Sequence, residues 1–261
     1  MILDQIVQAA TIRADALPYS GSDVRDVDTA SQSSHQHQPF SLLKAITGSH
    51  DRNAIIAEIK PASPSRGHLR AIIDPVALSQ ELIGGGCCAL SVITEPDFFQ
   101  GSITTIPTIR DRVQIPILRK DFIVDLRQIQ ETRQAGADAI LLITAVLGDQ
   151  LSEFVEAAKK AGLEPLVEVH DRQEVRTALD SGADLIGINN RNLKNLKTDL
   201  STTVRLAPMV RRADRTVIAE SGVIWPCDVR TLRPYANGYL IGSSIMAAHN
   251  PQRRLEGFVY A

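Results

Sequence analysis

Residues 136–143 read GADAILLI and residues 182–189 read GADLIGIN. In each copy a glycine closes a preceding helical pattern and leads into an apolar run, as the passage from a helix end to a buried strand requires. The two runs are nearly all apolar rather than alternating, which is typical of parallel strands buried on both faces. The repeated junction therefore predicts a fold built from strand-and-helix units.

Eight such runs follow one another along the chain at a mean spacing of about 26 residues, the length of one strand-plus-helix unit. They lie at Ala54–Lys60, Cys88–Thr94, Ile115–Lys120, Asp138–Ile143, Glu164–Val169, Asp184–Asn189, Thr216–Glu220 and Gly238–Gly242. Helical patterns separate them, at Pro75–Ile83, Leu126–Gln134, Gln150–Ala161 and Arg172–Asp180. We therefore predict an α/β protein, a (β/α)8 TIM barrel. The main alternative, an open doubly wound sheet that binds a dinucleotide, needs a Gly-x-Gly-x-x-Gly after the first strand, and the sequence has none there.

The residues before the first run predict an N-terminal helical extension. Residues 3–10 place apolar side chains at helical spacing, and residues 40–46 suggest a second short helix. The polar segment between them, about 18–38, is expected to be a loop or linker. We expect an extension at 1–50 and a single catalytic barrel domain at 51–261, whose length leaves no room for a second domain.

Composition excludes several classes of protein. The formal net charge is −2 and the isoelectric point is near 6.3, which gives no basic surface for nucleic acid or an anionic membrane. The three cysteines are an odd number, which fits a reducing compartment. Residues 1–16 lack the apolar core of a signal peptide, and no run is long enough to span a membrane. We therefore expect a cytoplasmic protein.

Polar and charged residues stand at the carboxyl ends of five of the eight runs. They are Glu58, Lys60, Lys120, Glu168, Asn189 and Glu220, with Arg191 just beyond. Stabilising ion pairs would explain any one of them, but five strands carry such groups at the same end. Because the active sites of barrels assemble at that rim, the pattern predicts a catalytic site.

The spacing of these groups suggests acid–base chemistry. Glu58 and Lys60 are two residues apart on one strand, so their side chains point to the same side. Carboxylates and ammonium groups that converge in a pocket shift one another's pKa values. Because Lys120 has apolar neighbours such as Leu118 and Phe122, we expect a lowered pKa and easier deprotonation.

The last two units carry a signal for phosphate. Ser221 and Gly222 follow the seventh run, and Gly242, Ser243 and Ser244 follow the eighth and open a short helical pattern. Glycines admit a close approach to the backbone, and free N–H groups at a helix start favour anions. Ordinary turn chemistry is the alternative for either motif alone, but both together predict a phosphorylated ligand.

The histidines and cysteines give no metal signature. His170 follows Glu168 at a strand end and could help to position it, but a plain loop histidine is the preferred interpretation.

At this point the sequence resembles the indole-3-glycerol phosphate synthase family over residues 54–246. The segments that carry the resemblance, in order, are IIAEIK at 55–60 with ASPSRG at 62–67, SVITE at 91–95 with Phe99 and Gly101, PILRKDFI at 116–123, EPLVEVH at 164–170, GINNRNL at 187–193, AESG at 219–222 and LIGSS at 240–244. One departure is Pro61, which stands where the family often has a basic residue and stiffens the chain beside Lys60.

The resemblance implies a lyase of tryptophan biosynthesis. Its substrate would be 1-(2-carboxyphenylamino)-1-deoxyribulose 5-phosphate, and its product indole-3-glycerol phosphate, formed by ring closure with loss of carbon dioxide and then water. No organic cofactor and no metal would be needed. We expect a monomer whose partner is this small phosphorylated molecule.

The resemblance also implies a role for each matching residue. Lys120 matches the general acid of ring closure. Glu168, Glu58 and Lys60 are candidates for the dehydration step, with Glu220 nearby, and the choice among them stays open. Asn189, Arg191 and Ser63 would lie near the substrate carboxylate. Phe99, Phe122 and Leu141 would surround its aromatic ring, and Leu240 would be a further substrate contact. The phosphate would be bound by Lys60, Ser221, Gly222, Gly242 and Ser243.

Three other functions remain open on the sequence. A Schiff-base aldolase would use a strand-end lysine as a nucleophile. Phosphoribosylanthranilate isomerase, another phosphate-binding barrel, would favour a Cys/Asp acid–base pair, and no cysteine ends a run here. A non-catalytic barrel that binds a phosphorylated metabolite is the third.

Overall fold

A closed barrel of eight parallel strands forms the centre of the protein. The computed structural model describes residues 2–18, 39–193 and 195–261. The strands are β1 (Ala54–Ile59), β2 (Ala89–Ile93), β3 (Ile117–Lys120), β4 (Ala139–Ile143), β5 (Glu164–Val169), β6 (Leu185–Asn189), β7 (Thr216–Glu220) and β8 (Gly238–Ile241). Each pairs in parallel with the next, and β8 pairs with β1 to close the ring. The predicted (β/α)8 barrel is therefore confirmed, and the observed strand bounds lie within two residues of the predicted ones.

Helices connect the strands, as a parallel sheet requires, and further helices precede β1 and follow β8. In chain order they are α1 (Ile2–Asp15), α2 (Leu42–Thr47), α3 (Pro75–Gly84), α4 (Thr105–Arg110), α5 (Arg127–Gln134), α6 (Thr144–Leu147), α7 (Leu151–Lys160), α8 (Arg172–Asp180), α9 (Ser201–Arg212), α10 (Pro226–Leu232), α11 (Ser243–Met246) and α12 (Pro251–Val259). The four helical patterns predicted between the runs correspond to α3, α5, α7 and α8, and those predicted at residues 3–10 and 40–46 correspond to α1 and α2. A short antiparallel ribbon, Ala62–Ser63 with Gly67–His68, follows β1. Among the helices of the described ranges, none is long and apolar enough to cross a membrane.

The alternation of side chains along each strand determines which groups reach the barrel axis. In β1, Ile55 and Ile59 pack outward in a cluster with helix residues such as Leu82, so Ile56 and Glu58 point inward. The inner cluster is filled by branched aliphatic residues, among them Ile56, Leu118, Leu141, Leu166, Ile218 and Leu240. Glu58, Lys120, Glu168 and Glu220 stand two residues after four of these on the same inner face. Parallel pairing thus carries four charged side chains to one end of the barrel.

The two N-terminal helices lie at opposite ends of the barrel. Leu42 and Ile46 of α2 are buried in the inner cluster beside Ala54 and Ala139, close to the amino ends of the strands. Ile2, Leu3 and Ile6 of α1 line the cavity at the carboxyl ends. The predicted linker at 18–38 lies outside the described residues apart from Pro18. The domain boundary at residue 50 stays a prediction.

Asp138, in the first copy of the repeated junction, is a buried connection between these parts. Its carboxylate accepts hydrogen bonds from the backbone N–H groups of Phe40 (2.9 Å) and Ile117 (2.8 Å). It also pairs with Arg110 Nη1 at 2.7 Å, where both side chains are buried. Asp184, at the same place in the second copy, is half exposed and pairs with Lys159 at 3.0 Å. The repeat therefore has a structural carboxylate in one copy only.

Replacing Asp138 with alanine is expected to lower the free energy of unfolding by about 3–5 kcal/mol, because Arg110 would be left as a buried charge without its partner. Asp184→Ala is the matched control, and its effect should stay within about 1 kcal/mol, as for exposed ion pairs. Urea denaturation followed by circular dichroism measures both. Equal effects from the two substitutions would contradict this account of Asp138.

Candidate active site

A cavity of about 280 Å³ opens at the carboxyl ends of the strands. All sixteen residues predicted for the site line it: Glu58, Lys60, Ser63, Phe99, Lys120, Phe122, Leu141, Glu168, Asn189, Arg191, Glu220, Ser221, Gly222, Leu240, Gly242 and Ser243. They come from segments that are distant along the chain, and the barrel brings them together. Their individual roles stay predictions.

Lys120 at the end of β3 lies at the centre of the charged groups. Its Nζ atom donates hydrogen bonds to Glu168 Oε2 at 3.2 Å and to Glu220 Oε2 at 3.1 Å. Both carboxylates are almost completely buried, and the lysine side chain is 18% exposed. An ammonium group that bridges two buried carboxylates is held at a fixed point in the cavity.

The pKa of Lys120 contradicts the expectation of easy deprotonation. Burial lowers this pKa, as the sequence argument assumed, and it is the largest single influence. However, the negative charges of Glu220, Glu168 and Glu58 together outweigh burial and raise the pKa of Lys120 above its ordinary value. Lys120 is therefore a charged ammonium group at neutral pH.

The two carboxylates beside Lys120 differ from each other. Burial raises the pKa of Glu168, but the charge of Lys120 and the contacts of His170 and Asn189 outweigh burial and lower it. Glu220 has less compensation: burial and the charge of Glu168 raise its pKa to about 7, against the opposing effect of Lys120. The two side chains therefore differ in charge: Glu168 is ionised throughout the neutral range, whereas Glu220 titrates within it.

Glu58 and Lys60 form a second ion pair at the end of β1, between Oε2 and Nζ. Glu58 is 1% exposed, and its Oε1 atom, like Glu220 Oε1, makes no hydrogen bond within the described part of the chain. Each carboxylate thus has one oxygen engaged with a lysine and one with acceptor capacity left over.

Two glycines make room for these carboxylates. A Cβ atom at Gly187 on β6 would overlap Glu220 Oε1, and a Cβ atom at Gly242 after β8 would overlap Glu58 Oε2. The barrel can therefore hold the two glutamates at these positions only because side chains are missing opposite them.

The loops after β7 and β8 form a glycine- and serine-rich end of the cavity. Ser221 and Gly222 have φ values of +61° and +83°, and a Cβ atom on Gly222 would overlap Thr198. Ser243 opens α11 directly after Gly242, as the sequence predicted. The N–H groups at this turn are a suitable setting for an anion such as phosphate.

A second positive region lies near Arg191. Arg191 is part-buried, its N–H donates to Asn189 Oδ1 at 2.9 Å, and its Nη1 donates to Leu196 O at 3.0 Å. Arg66 lines the same cavity, and burial together with its nearby charge lowers the pKa of Arg191. Ser63 is buried, and its hydroxyl makes no hydrogen bond within the described residues. These groups could together hold a carboxylate.

The remaining wall of the cavity is apolar. Phe99 and Phe122 pack with ring centroids 6.3 Å apart, beside Leu141. Among the residues that the structure describes, no cluster of three or more His, Cys, Asp or Glu side chains is arranged to hold a metal ion.

Comparisons with known proteins show the family of this chain. A family model described as "Indole-3-glycerol phosphate synthase" matches residues 3–258. This chain belongs to the indole-3-glycerol phosphate synthase family. Curated relatives of that name include one from Methanocaldococcus jannaschii, 42% identical over 91% of this chain and 88% of the relative. Another, from Koribacter versatilis, is 46% identical over 79% of this chain and 80% of the relative.

A structural comparison also finds the same barrel in a distant protein. The thiamine phosphate pyrophosphorylase from Pyrococcus furiosus matches with a TM-score of 0.58, and the match covers 80% of this chain and 95% of that one. Its sequence identity of 15% means that the likeness concerns the fold alone.

Within this indole-3-glycerol phosphate synthase site, sequence reasoning missed a network that supports the aromatic wall. Glu95 accepts hydrogen bonds from the backbone N–H groups of Phe98 (2.8 Å) and Phe99 (3.0 Å). Arg13 of α1 reaches Glu95 at 3.2 Å and Asp121, which follows Lys120, at 3.6 Å. Glu95 lies in a motif of the family resemblance, but nothing in the sequence pairs it with a residue 82 positions earlier.

Sequence reasoning also undervalued His170. The sequence alone favours a plain loop histidine, whereas the structure places its Nε2 atom 3.3 Å from Glu168 Oε1. The synthase motif EVH at 168–170 contained a usable signal, because residues two apart at a strand end point to the same side.

Proposed function

We propose that this chain is a carbon–carbon lyase of tryptophan biosynthesis that converts 1-(2-carboxyphenylamino)-1-deoxyribulose 5-phosphate to indole-3-glycerol phosphate, carbon dioxide and water. Family membership supports the reaction. The observation that carries the assignment of roles is Lys120, held in the cavity between the buried carboxylates of Glu168 and Glu220.

In the first step, the ring carbon that bears the carboxylate attacks the ketone carbon, and a carbon–carbon bond forms. The ketone oxygen gains negative charge as its double bond breaks. Lys120 acts as the general acid that gives this oxygen a proton, and the three carboxylates that raise its pKa keep the proton in place beforehand. The substrate carboxylate then leaves as carbon dioxide, and its bonding electrons restore the aromatic ring.

The last step removes water from the new five-membered ring. The hydroxyl group leaves with a proton from an acid, while a base takes a proton from the adjacent position. Glu168 is our choice for the base, because its ionised form is favoured and it touches Lys120. Glu58 and Lys60, paired with each other on the other side of the cavity, are the alternative acid–base pair.

Substrate binding uses the three remaining parts of the cavity. The phosphate is assigned to the loops of Ser221–Gly222 and Gly242–Ser243, with Lys60 as the countercharge. The carboxylate is assigned to Arg191, Asn189 and Ser63. The aromatic ring is assigned to Phe99, Phe122 and Leu141, with Leu240 at the cavity floor; all of these groups line the one cavity.

The alternatives fit the structure less well. A Schiff-base aldolase needs a neutral amine as nucleophile, but Lys120 is held as an ammonium and Lys60 is paired with Glu58. A Cys/Asp acid–base pair has no counterpart, since Cys87 and Cys88 are buried and no cysteine is among the cavity-lining residues. Borohydride treatment with substrate should therefore leave no covalent adduct on either lysine.

Purified protein incubated with the substrate is expected to produce indole fluorescence, with release of one carbon dioxide per product. Heat-denatured protein is the control for spontaneous cyclisation. Folded protein that gives no fluorescence change at saturating substrate would refute the activity. The cytoplasmic location and the monomeric state stay predictions, to be tested by fractionation and by sedimentation.

A further inference from the structure

His170 lies between two carboxylates in the loop after β5. Its Nδ1 atom is 3.0 Å from Glu174 Oε2, and its Nε2 atom is 3.3 Å from Glu168 Oε1. The Nε2 contact lacks the geometry of a standard hydrogen bond, and it is an ion pair when the imidazole is protonated. The histidine side chain is 14% exposed, which makes this an enclosed triad with the positive group in the middle.

The start of α8 fixes the ring. Asp171 caps this helix, with Oδ1 accepting from the N–H groups of Gln173 (2.8 Å) and Glu174 (2.9 Å). Glu174 stands in the first turn and folds back, so that its Oε2 atom accepts from both His170 N (2.7 Å) and His170 Nδ1. One carboxylate oxygen thus holds the backbone and the ring of His170 together, an arrangement related to a capping box.

We propose that His170 is a positioning residue for the synthase reaction: as an imidazolium held by Glu174, it fixes Glu168 Oε1 and keeps Glu168 ionised while Oε2 contacts Lys120. This inference rests on the proposed role of Glu168 as a base. A carboxylate clamped at both oxygens cannot rotate away from the reacting atoms, and its charge is available at each turnover.

The charges around His170 and Glu168 determine whether the pKa of each group is raised or lowered. Glu168 faces Lys120 from β3, Asn189 from β6 and Glu220 from β7, besides His170. Burial lowers the pKa of His170, but the two flanking glutamates outweigh it and raise this pKa to about 10. The interaction is reciprocal, so losing the imidazolium must raise the pKa of Glu168 towards its ordinary range.

The pH profile of kcat/KM tests this inference. In His170→Asn the amide can still reach Glu174, but the positive charge beside Glu168 is gone. We expect the acid limb that reports the ionisation of Glu168 to move up by about one pH unit, and activity below that limb to fall about tenfold. His170→Gln, which places a neutral amide nearer Glu168, should show the same displacement. His50→Asn, at the exposed amino end of the barrel, is the matched control and should leave the profile unchanged.

A structural role alone would lower activity equally at all pH values. Therefore a uniform loss, or an acid limb at the wild-type pH in both His170 variants, overturns the proposal. If Glu168→Gln keeps wild-type activity, the proposed base is wrong, and that result is separate from the behaviour of His170.

A measurement without substrate keeps the inference testable if the variants fold poorly. Nitrogen NMR of the imidazole in the unliganded wild-type protein should show His170 protonated through pH 8. Glu168→Gln and Glu174→Gln should each lower the His170 pKa by about one unit or more, because each removes one flanking charge. A His170 that titrates near the ordinary histidine value in the wild type, or that does not respond to Glu168→Gln, refutes the ion pair.

Discussion

Lys120→Met is expected to lower kcat/KM by about three orders of magnitude while the barrel remains folded. General acid catalysis contributes about 10²–10⁴, and methionine has a similar length but no proton to give. The substitution also leaves Glu168 and Glu220 without the charge between them, so one of the two should take up a proton. Single-turnover indole fluorescence measures the chemical step, and circular dichroism checks the fold.

Two control variants distinguish the loss of the Lys120 proton donor from the loss of its positive charge. Lys120→Arg keeps a cation beside the carboxylates, but a guanidinium does not release its proton readily, so the chemical step should stay slow while stability is largely kept. Lys160→Met removes an exposed lysine whose ion pair among the described residues is with Glu156 one helical turn away, and it should act like the wild type. Turnover near the wild-type rate in Lys120→Met would exclude Lys120 as the acid.

The strands were predictable because a strand that is buried on both faces consists almost entirely of apolar residues, a pattern that is visible in a short window of sequence. Runs such as GADAILLI contain almost only apolar side chains, and strong local patterns of this kind are the most dependable signal in a single sequence. The charged residues that end these runs were noticeable for the same reason, since each one breaks an otherwise apolar pattern. The barrel fold and the charged groups at the carboxyl ends of its strands could therefore be predicted from short stretches of sequence.

The electrostatics of the site could not be predicted in this way. The carboxylates that hold the proton on Lys120 are 48 and 100 residues away along the chain, whereas the sequence argument considered only its apolar neighbours. The apolar neighbours correctly predict that burial lowers the pKa of Lys120. They do not reveal the charges of Glu220, Glu168 and Glu58, which together raise this pKa by more. The contact of Arg13 with Glu95 was missed for the same reason, because it depends on where α1 packs.

Gly187→Ala is expected to lower kcat/KM about 100-fold with little loss of stability. The added methyl group would overlap Glu220 Oε1 and would lie 3.4 Å from Leu166 Cδ1, an ordinary contact. The clash falls on the end of a flexible side chain, so Glu220 can move aside without unfolding the strand. Moving it displaces a carboxylate that contacts Lys120, and an error of about 1 Å in a catalytic group can cost about 100-fold in rate.

Gly84→Ala is the matched control for this prediction. Its new methyl group would lie 3.5 Å from the side chain of Gln252, an ordinary contact. Alanine is favoured over glycine in a helix by up to about 1 kcal/mol. We therefore expect unchanged activity and slightly higher stability. Gly242→Ala is the second test, because its methyl group would overlap Glu58 Oε2 and would also lie 3.0 Å from Glu58 Cβ. If Gly187→Ala and Gly242→Ala both fold and react at the wild-type rate, the positions of Glu220 and Glu58 do not limit catalysis. Loss of kcat/KM in Gly187→Ala, with a urea midpoint close to the wild type, would show that Gly187 serves the carboxylate of Glu220 rather than the fold.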